Sequence, residues 1–360
     1  MADKYHGASQ RGIEACASGR FREERVMKKT ITNYELRITN SKSQIFLLFA
    51  AYCLLLTFFY GCVSSKKIEM PKTQAEAIEF NQRGVDAFEA GNYEIALIAF
   101  QKSLKLNAGV DNQKGAAISL LNLGRVYLAI DRFDDAKSVL ERAMKIGLNL
   151  NDQLIISEAY ASLGRYYYLI GKNKDAIDIL EKAVAIDSKE GYRTTGSKLN
   201  IMGTVYKDSN RLEEAEKIFN DALKANQGYG FVIDAADSFR GLGDISLQKR
   251  DYRKAGELYE SALLIDKKSD KGAKISLDLF SLGVLSLKEG DIKLSLDFFL
   301  RAYAVDNSRG DNRRAVKTLE KIIEIYNELG DKNNLEMYSL ERERLLQKEM
   351  PLQKEGEREQ

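Results

Sequence analysis

The apolar positions of this chain recur along its length. The stretch "NLGRVYLAIDRFDDAKSVLERAMKI" (122–146) aligns with "SLGRYYYLIGKNKDAIDILEKAVAI" (162–186) at an offset of 40, with leucine, glycine, tyrosine and two alanines in register. A leading glycine returns at Gly84, Gly124, Gly164, Gly203, Gly243 and Gly283, and Ile323 takes its place in a seventh unit. The spacings are 40, 40, 39, 40, 40 and 40. A period held this tightly, within the range of about 20–50 residues, predicts stacked units forming a solenoid.

Each unit divides into two helical segments. Twelve residues after the glycine stands Ala96, Ala136, Ala176, Ala215, Ala255 or Ser295. Four further on is a large residue: Phe100, Leu140, Leu180, Phe219, Tyr259 or Phe299. Three beyond that is a small one: Ser103, Ala143, Ala183, Ala222, Ala262 or Ala302. Turn signals separate the segments at Gly91-Asn92, Asp131-Arg132, Gly171-Lys172, Asn210-Arg211, Arg250-Asp251 and Gly290-Asp291. The pattern is that of a helical hairpin whose backbones approach at glycine and alanine while larger residues fill the flanks.

These residues resemble the tetratricopeptide repeat. Its pattern of a large residue, Leu-Gly and Tyr is intact as Leu120, Leu123-Gly124, Tyr127 and as Tyr160, Leu163-Gly164, Tyr167, and it is close at Leu199, Met202-Gly203, Tyr206. Serine replaces the tyrosine at Ser246 and Ser286, and alanine at Ala87. The units exceed the family's usual length of about 34 residues. No proline lies between Pro71 and Pro351. Longer helices or longer links must absorb the extra residues. The expected fold is all-α: a right-handed superhelical solenoid of about seven tetratricopeptide-like hairpins over residues 75–346, with a period of about 40. In the last unit Leu335 and Arg342 stand where small residues belong, and "LERERLLQKE" reads as a polar cap. The tail, residues 347–360, is expected to be disordered.

The resemblance also implies a binding surface. In this family the first helix of each unit lines a concave groove, at fixed positions around the glycine. Those positions hold Leu121, Asn122, Arg125, Leu128, Ser162, Arg165, Tyr168, Asn200, Lys207, Arg240 and Asp244. Arg125 and Arg165 share one phase in adjacent units, and two guanidinium forks there suit a carboxylate or an acidic peptide. Alternatively, both arginines simply solvate the face or pair within their helices. The clamp that some family members use for chaperone tails is not supported, because Glu158 puts a negative charge where that clamp needs a cation.

Composition narrows the chemistry. The formal charge of the 360 residues is +2, with one histidine, His6, and three cysteines, Cys16, Cys53 and Cys62. A balanced charge argues against nucleic-acid binding. No phosphate loop, nucleophile elbow or zinc pattern is present, so the sequence points to a protein or peptide partner and to neither catalysis nor a cofactor.

Ahead of the repeats, Ile45 to Gly61 is a 17-residue run without a charge, and seven basic residues from Arg20 to Lys42 precede it. Basic leader, apolar stretch and small residue make a signal peptide. Phe59-Tyr60-Gly61-Cys62 resembles the lipobox of bacterial lipoproteins, which implies cleavage before Cys62 and a lipid on its sulfur. An uncleaved inner-membrane anchor, carrying a sensor or adaptor, is the alternative. Residues 1–44 then form a basic leader whose translation start is Met1 or Met27, 45–61 the apolar region, and 62–74 a tether. Both readings place the repeats outside the cytoplasm. Val63 favours the outer membrane. The expected function is an envelope-facing scaffold in assembly of a larger complex, with an enzyme or peptidoglycan-processing factor as the remote alternative.

Overall fold

The computed structural model describes residues 71–355, with side chains to residue 347; the leader, the apolar run and Cys62 lie outside the described residues. Within them are fourteen helices and no strand. They pair as α1 (Lys72–Glu89) with α2 (Tyr93–Gly109), α3 (Gln113–Ala129) with α4 (Phe133–Leu150), and α5 (Gln153–Leu169) with α6 (Asn173–Glu190). Next come α7 (Thr195–Asp208) with α8 (Leu212–Tyr229), α9 (Val232–Gln248) with α10 (Tyr252–Lys268), α11 (Gly272–Glu289) with α12 (Ile292–Arg309), and α13 (Asn312–Leu329) with α14 (Lys332–Glu355). The first six helices, for example, each run 17 or 18 residues. The surplus over the usual repeat has therefore gone into the helices, since the links stay short. The solenoid starts at Lys72, slightly ahead of the expected boundary.

Each hairpin closes on one contact. A Cβ built on Gly84 would lie 2.6 Å from the Phe100 ring, and one on Gly164 would lie 2.6 Å from Leu180. The same clash arises at Gly124 with Leu140, Gly203 with Phe219, Gly243 with Tyr259 and Gly283 with Phe299. Those large side chains are at most 2% exposed, and the alanines one turn before them are fully buried. The small residue is thus a docking site for the ring or isobutyl group opposite it.

The turns follow a second rule. At all seven hairpin tips, from Gly91 to Gly330, one residue is left-handed, and Asp131, Asn210 and Arg250 do this without being glycine. Left-handed residues also mark all six links, at Asp111, Asn151, Gly191, Gly230, Asp270 and Gly310. They turn the chain within a few residues and satisfy the last carbonyls of the preceding helix, as Asn92 N–H does for Ala87 O at 2.8 Å.

Two expectations are corrected. The tail is helical through Glu355; leucine, glutamate, lysine and arginine are strong helix formers and extend the last helix past residue 346. The closing helix is also not purely polar, for Met337, Leu340 and Leu346 are exposed on it.

The coil comes back on itself. Lys271, in the link before α11, donates to Glu89 at the first tip at 2.7 Å, and Arg309 donates to the Glu89 carbonyl. Arg313 donates to Ala129 O at 2.7 Å and to Asp131 at the second tip. The tips of hairpins one and two therefore pack against the last two links.

Gly164→Leu is expected to overpack the α5–α6 contact and cost about 1–3 kcal/mol. Because each hairpin leans mainly on its neighbours, hydrogen exchange should rise over residues 150–220 and stay low near residue 290. Uniform loosening, or none, would contradict this packing.

Candidate functional site

The odd-numbered helices contact one another along the stack, α1 with α3, α3 with α5 and onward to α11, and so form its inner wall. Pairs between neighbouring hairpins cross this wall. Asn122 donates to Asn81 at 2.9 Å, the Tyr168 hydroxyl donates to Asp208, and Lys207 donates to Asp244 at 2.6 Å. Burial works to lower the Lys207 pKa, but Asp244 and Asp208 outweigh it and hold it up. Burial first, and Asp208 second, raise Tyr168.

Arg240 is the most heavily engaged. It donates to Asp278 at 2.7 Å, and to Asp237 and Asp266 at 2.6 Å each. Lys274 adds a second cation on Asp237 at 2.6 Å. Two cations thus face three carboxylates. Burial pushes Asp278 up to about 7 and raises Asp266, with Arg240 opposing both.

Of the remaining residues expected on the groove, Leu121 and Leu128 are buried in the packing beneath the wall. Asn200 is buried too, donating to Asp234 O at 2.8 Å and accepting from Ser238 at 2.7 Å. Ser162 is half-buried. Arg125 and Arg165 stand apart, both exposed on the wall. Arg125 lies 5.7 Å over the Phe88 ring. Arg165 shows no hydrogen bond or ion pair; the surrounding protein, and then Arg125, lower its pKa, with Asp237 opposing.

A buried polar residue at the end of the even-numbered helices was not anticipated. Asn107, Asp187, Asn226, Asp266 and Asp306 recur there, each at most 4% exposed. Ser157 and Lys198 donate to Asp187 at 2.5 and 2.6 Å, and Ser276 donates to Asp306 at 2.5 Å. Lys198, itself 1% exposed, also reaches Glu158 at 2.9 Å. Ser157 and Ser276 tie the two helices of one hairpin together, whereas Lys198 on Asp187 and Ser238 with Asn226 reach across to the next hairpin. Their signal was present in the sequence as an Asp/Asn recurrence at one fixed phase, from Asn107 after Gly84 to Asp306 after Gly283. Among the described residues, no group of His, Cys, Asp or Glu is arranged to hold a metal, and no helix is long and apolar enough to cross a membrane.

Asp278→Asn should test the raised Asp278 carboxyl. A carboxyl raised in the folded state stabilises below its ordinary range, and that contribution is lost as pH rises through about 7. The wild type should therefore lose stability between about pH 5 and about pH 8, and the asparagine variant should lose less. An equal loss of stability in the two proteins, from denaturant titrations at the two pH values, would refute the raised carboxyl.

Two sequence profiles of one family match the chain, both described as Tetratricopeptide repeat: one over residues 75–149, the other over 121–190 and 202–273. No curated protein matches in sequence. Among solved structures, a Rap protein complexed with Competence and Sporulation Factor is similar at 16% identity, over 76% of this chain and 75% of its own, with a TM-score of 0.61. Aspartyl phosphate phosphatase F from Bacillus subtilis is similar at 15% identity, over 90% and 88%, with a TM-score of 0.55. A STAND protein with a tetratricopeptide repeat sensor from Pyrococcus horikoshii is similar at 18% identity, over 78% and 45%, with a TM-score of 0.54. At these identities the likeness is one of fold alone.

Proposed function

Because the chain belongs to the tetratricopeptide-repeat family, we propose that it is a membrane-anchored scaffold holding an acidic segment of a partner protein on its inner wall. The observation that carries this reading is the Arg125–Arg165 pair. It is the place on the wall where two cations of one phase lack a carboxylate, whereas Asn122–Asn81 and Tyr168–Asp208 fill the equivalent junctions on either side. A partner carboxylate supplies what neighbouring hairpins supply elsewhere. Protein surrounding Arg165 makes such a pair stronger than one on an open surface.

Anchoring rests on the sequence ahead of the repeats. The lipobox-like Gly61-Cys62 after a charge-free apolar run supports a lipid on Cys62. Such an anchor would place the solenoid in a bacterial envelope, facing the periplasm, with Val63 favouring the outer membrane. The length of the apolar run also suits an uncleaved anchor on an inner-membrane sensor or adaptor. The mass of the purified chain separates the two, since cleavage removes residues 1–61.

Reversing both arginines, Arg125→Glu with Arg165→Glu, removes two attractions and adds two repulsions. Contacts of this kind cost about 2–5 kcal/mol when broken. Exposed positions change folding by about 0.5 kcal/mol or less, so the melting temperature should hold while partner capture by pull-down is lost. Lys145→Glu, exposed on α4, should keep both. Capture surviving the double reversal would move the site off this wall. Separately, Cys62→Ser should abolish incorporation of a labelled fatty acid and leave the precursor uncut, and unchanged labelling would refute the lipid on Cys62.

A further inference from the structure

The six links of the solenoid lie along one edge, and they divide by chemistry. The last two, around Lys271 and around Arg309 to Arg313, are polar, and the tips of hairpins one and two cover them. The first four links are not covered in this way, and they carry apolar side chains. Val110 is exposed at the first, Leu148, Leu150 and Leu154 at the second, and Tyr229, Phe231 and Val232 at the fourth, with Leu148 58% and Val232 54% exposed. Tyr192, from the third link, shares with Leu150 and Leu154 a cleft of 730 Å³ whose other walls are polar, with Lys114, Asp152, Lys189 and Glu190 among them. The rings of Tyr229 and Phe231 lie 6.4 Å apart, and Arg193 sits 5.9 Å over Tyr229.

The covered links are polar, whereas the uncovered ones add exposed apolar side chains to polar residues such as Asn151, Asp152 and Arg193. A second copy of the chain would bring hairpin tips to this edge, as the first two tips do within one chain. The tips are polar turns such as Asn210-Arg211 and Gly290-Asp291 with single exposed apolar residues such as Ile95, Leu169, Leu294 and Leu329, so they match the strip less well than an apolar, extended occupant does.

The start of the solenoid says which apolar surface lies near. Helix α1 begins at Lys72, and odd-numbered helices begin on the link edge. Only ten residues separate Lys72 from Cys62, a reach of at most about 36 Å. We infer that the link edge of hairpins one to four docks on the bilayer that holds the anchor, with Tyr229, Phe231 and Val232 at the interface. This inference rests on the anchoring reading above. Tyrosine and phenylalanine suit that depth because an apolar body enters the acyl boundary while a hydroxyl or a neighbouring guanidinium stays hydrated. Binding of this kind adds to a single lipid anchor, whose hold on a membrane is weak when it acts alone.

The chain contains no tryptophan, so a single introduced indole reports without background. Full-length chains carrying Phe231→Trp or Leu294→Trp, each first shown to unfold cooperatively, are reconstituted into vesicles containing brominated phospholipid. Residue 294 is exposed at a tip on the opposite edge and serves as the control. The expected result is a loss of fluorescence and a blue shift at 231, with neither at 294. No quenching at 231 in a chain that floats with the vesicles overturns the docking while leaving the anchor intact. Equal quenching at both positions also overturns it, because no face is then preferred. A chain that does not float at all overturns the anchoring reading, and the docking with it.

Discussion

In every hairpin but the last, a large side chain of one helix fills the volume that a Cβ would need on the other. The distance from glycine to ring or isobutyl group sets how closely the two helices lie, and it hardly varies from Gly84–Phe100 to Gly283–Phe299. Hairpins of equal thickness stack with an equal rotation, and the accumulated rotation brings the first tips onto the last links. The seventh hairpin exchanges the partners, with Ile323 in the glycine place and Ser339 in that of the large residue. The swap keeps one large and one small residue at the two phases, so the summed volume there changes little.

The second determinant is polar. Carboxylates and amides at the ends of the even-numbered helices are buried, and burying such groups is unfavourable unless each finds a partner. Some partners sit in the same hairpin, as Ser157 does for Asp187 and Ser276 for Asp306, and others on the next odd-numbered helix, as Lys198 does for Asp187 and Ser238 for Asn226, so the bonds act both within and between hairpins. Around Arg240 three carboxylates meet two cations, and burial raises Asp266 and Asp278 against the pull of that arginine.

Much of this was legible in the chain itself. The period, the hairpins, the turn positions and the glycine contacts all follow from residues at fixed phase, because each arises within a single repeat unit. The inner wall was legible only as a set of positions. Lys207 and Arg240 read only as groove positions, yet each pairs with an acid some 37 or 38 residues away, and charged residues on a helix ordinarily face water. Leu121 and Leu128 lie at groove phases but sink into the packing, since their turn of α3 faces its neighbours. Contacts such as Arg313–Ala129, spanning 184 residues, depend on rotation summed over five hairpins, which no local pattern encodes.

The bridge between the first tips and the last links has an elastic consequence. It consists of two exposed ion pairs, Lys271–Glu89 and Arg313–Asp131, and two arginine hydrogen bonds to the Glu89 and Ala129 carbonyls. Salt weakens the ion pairs and leaves the carbonyl bonds in place. Rising ionic strength therefore softens the pitch of the coil, like a spring with one of its two clips loosened, without releasing its ends from each other.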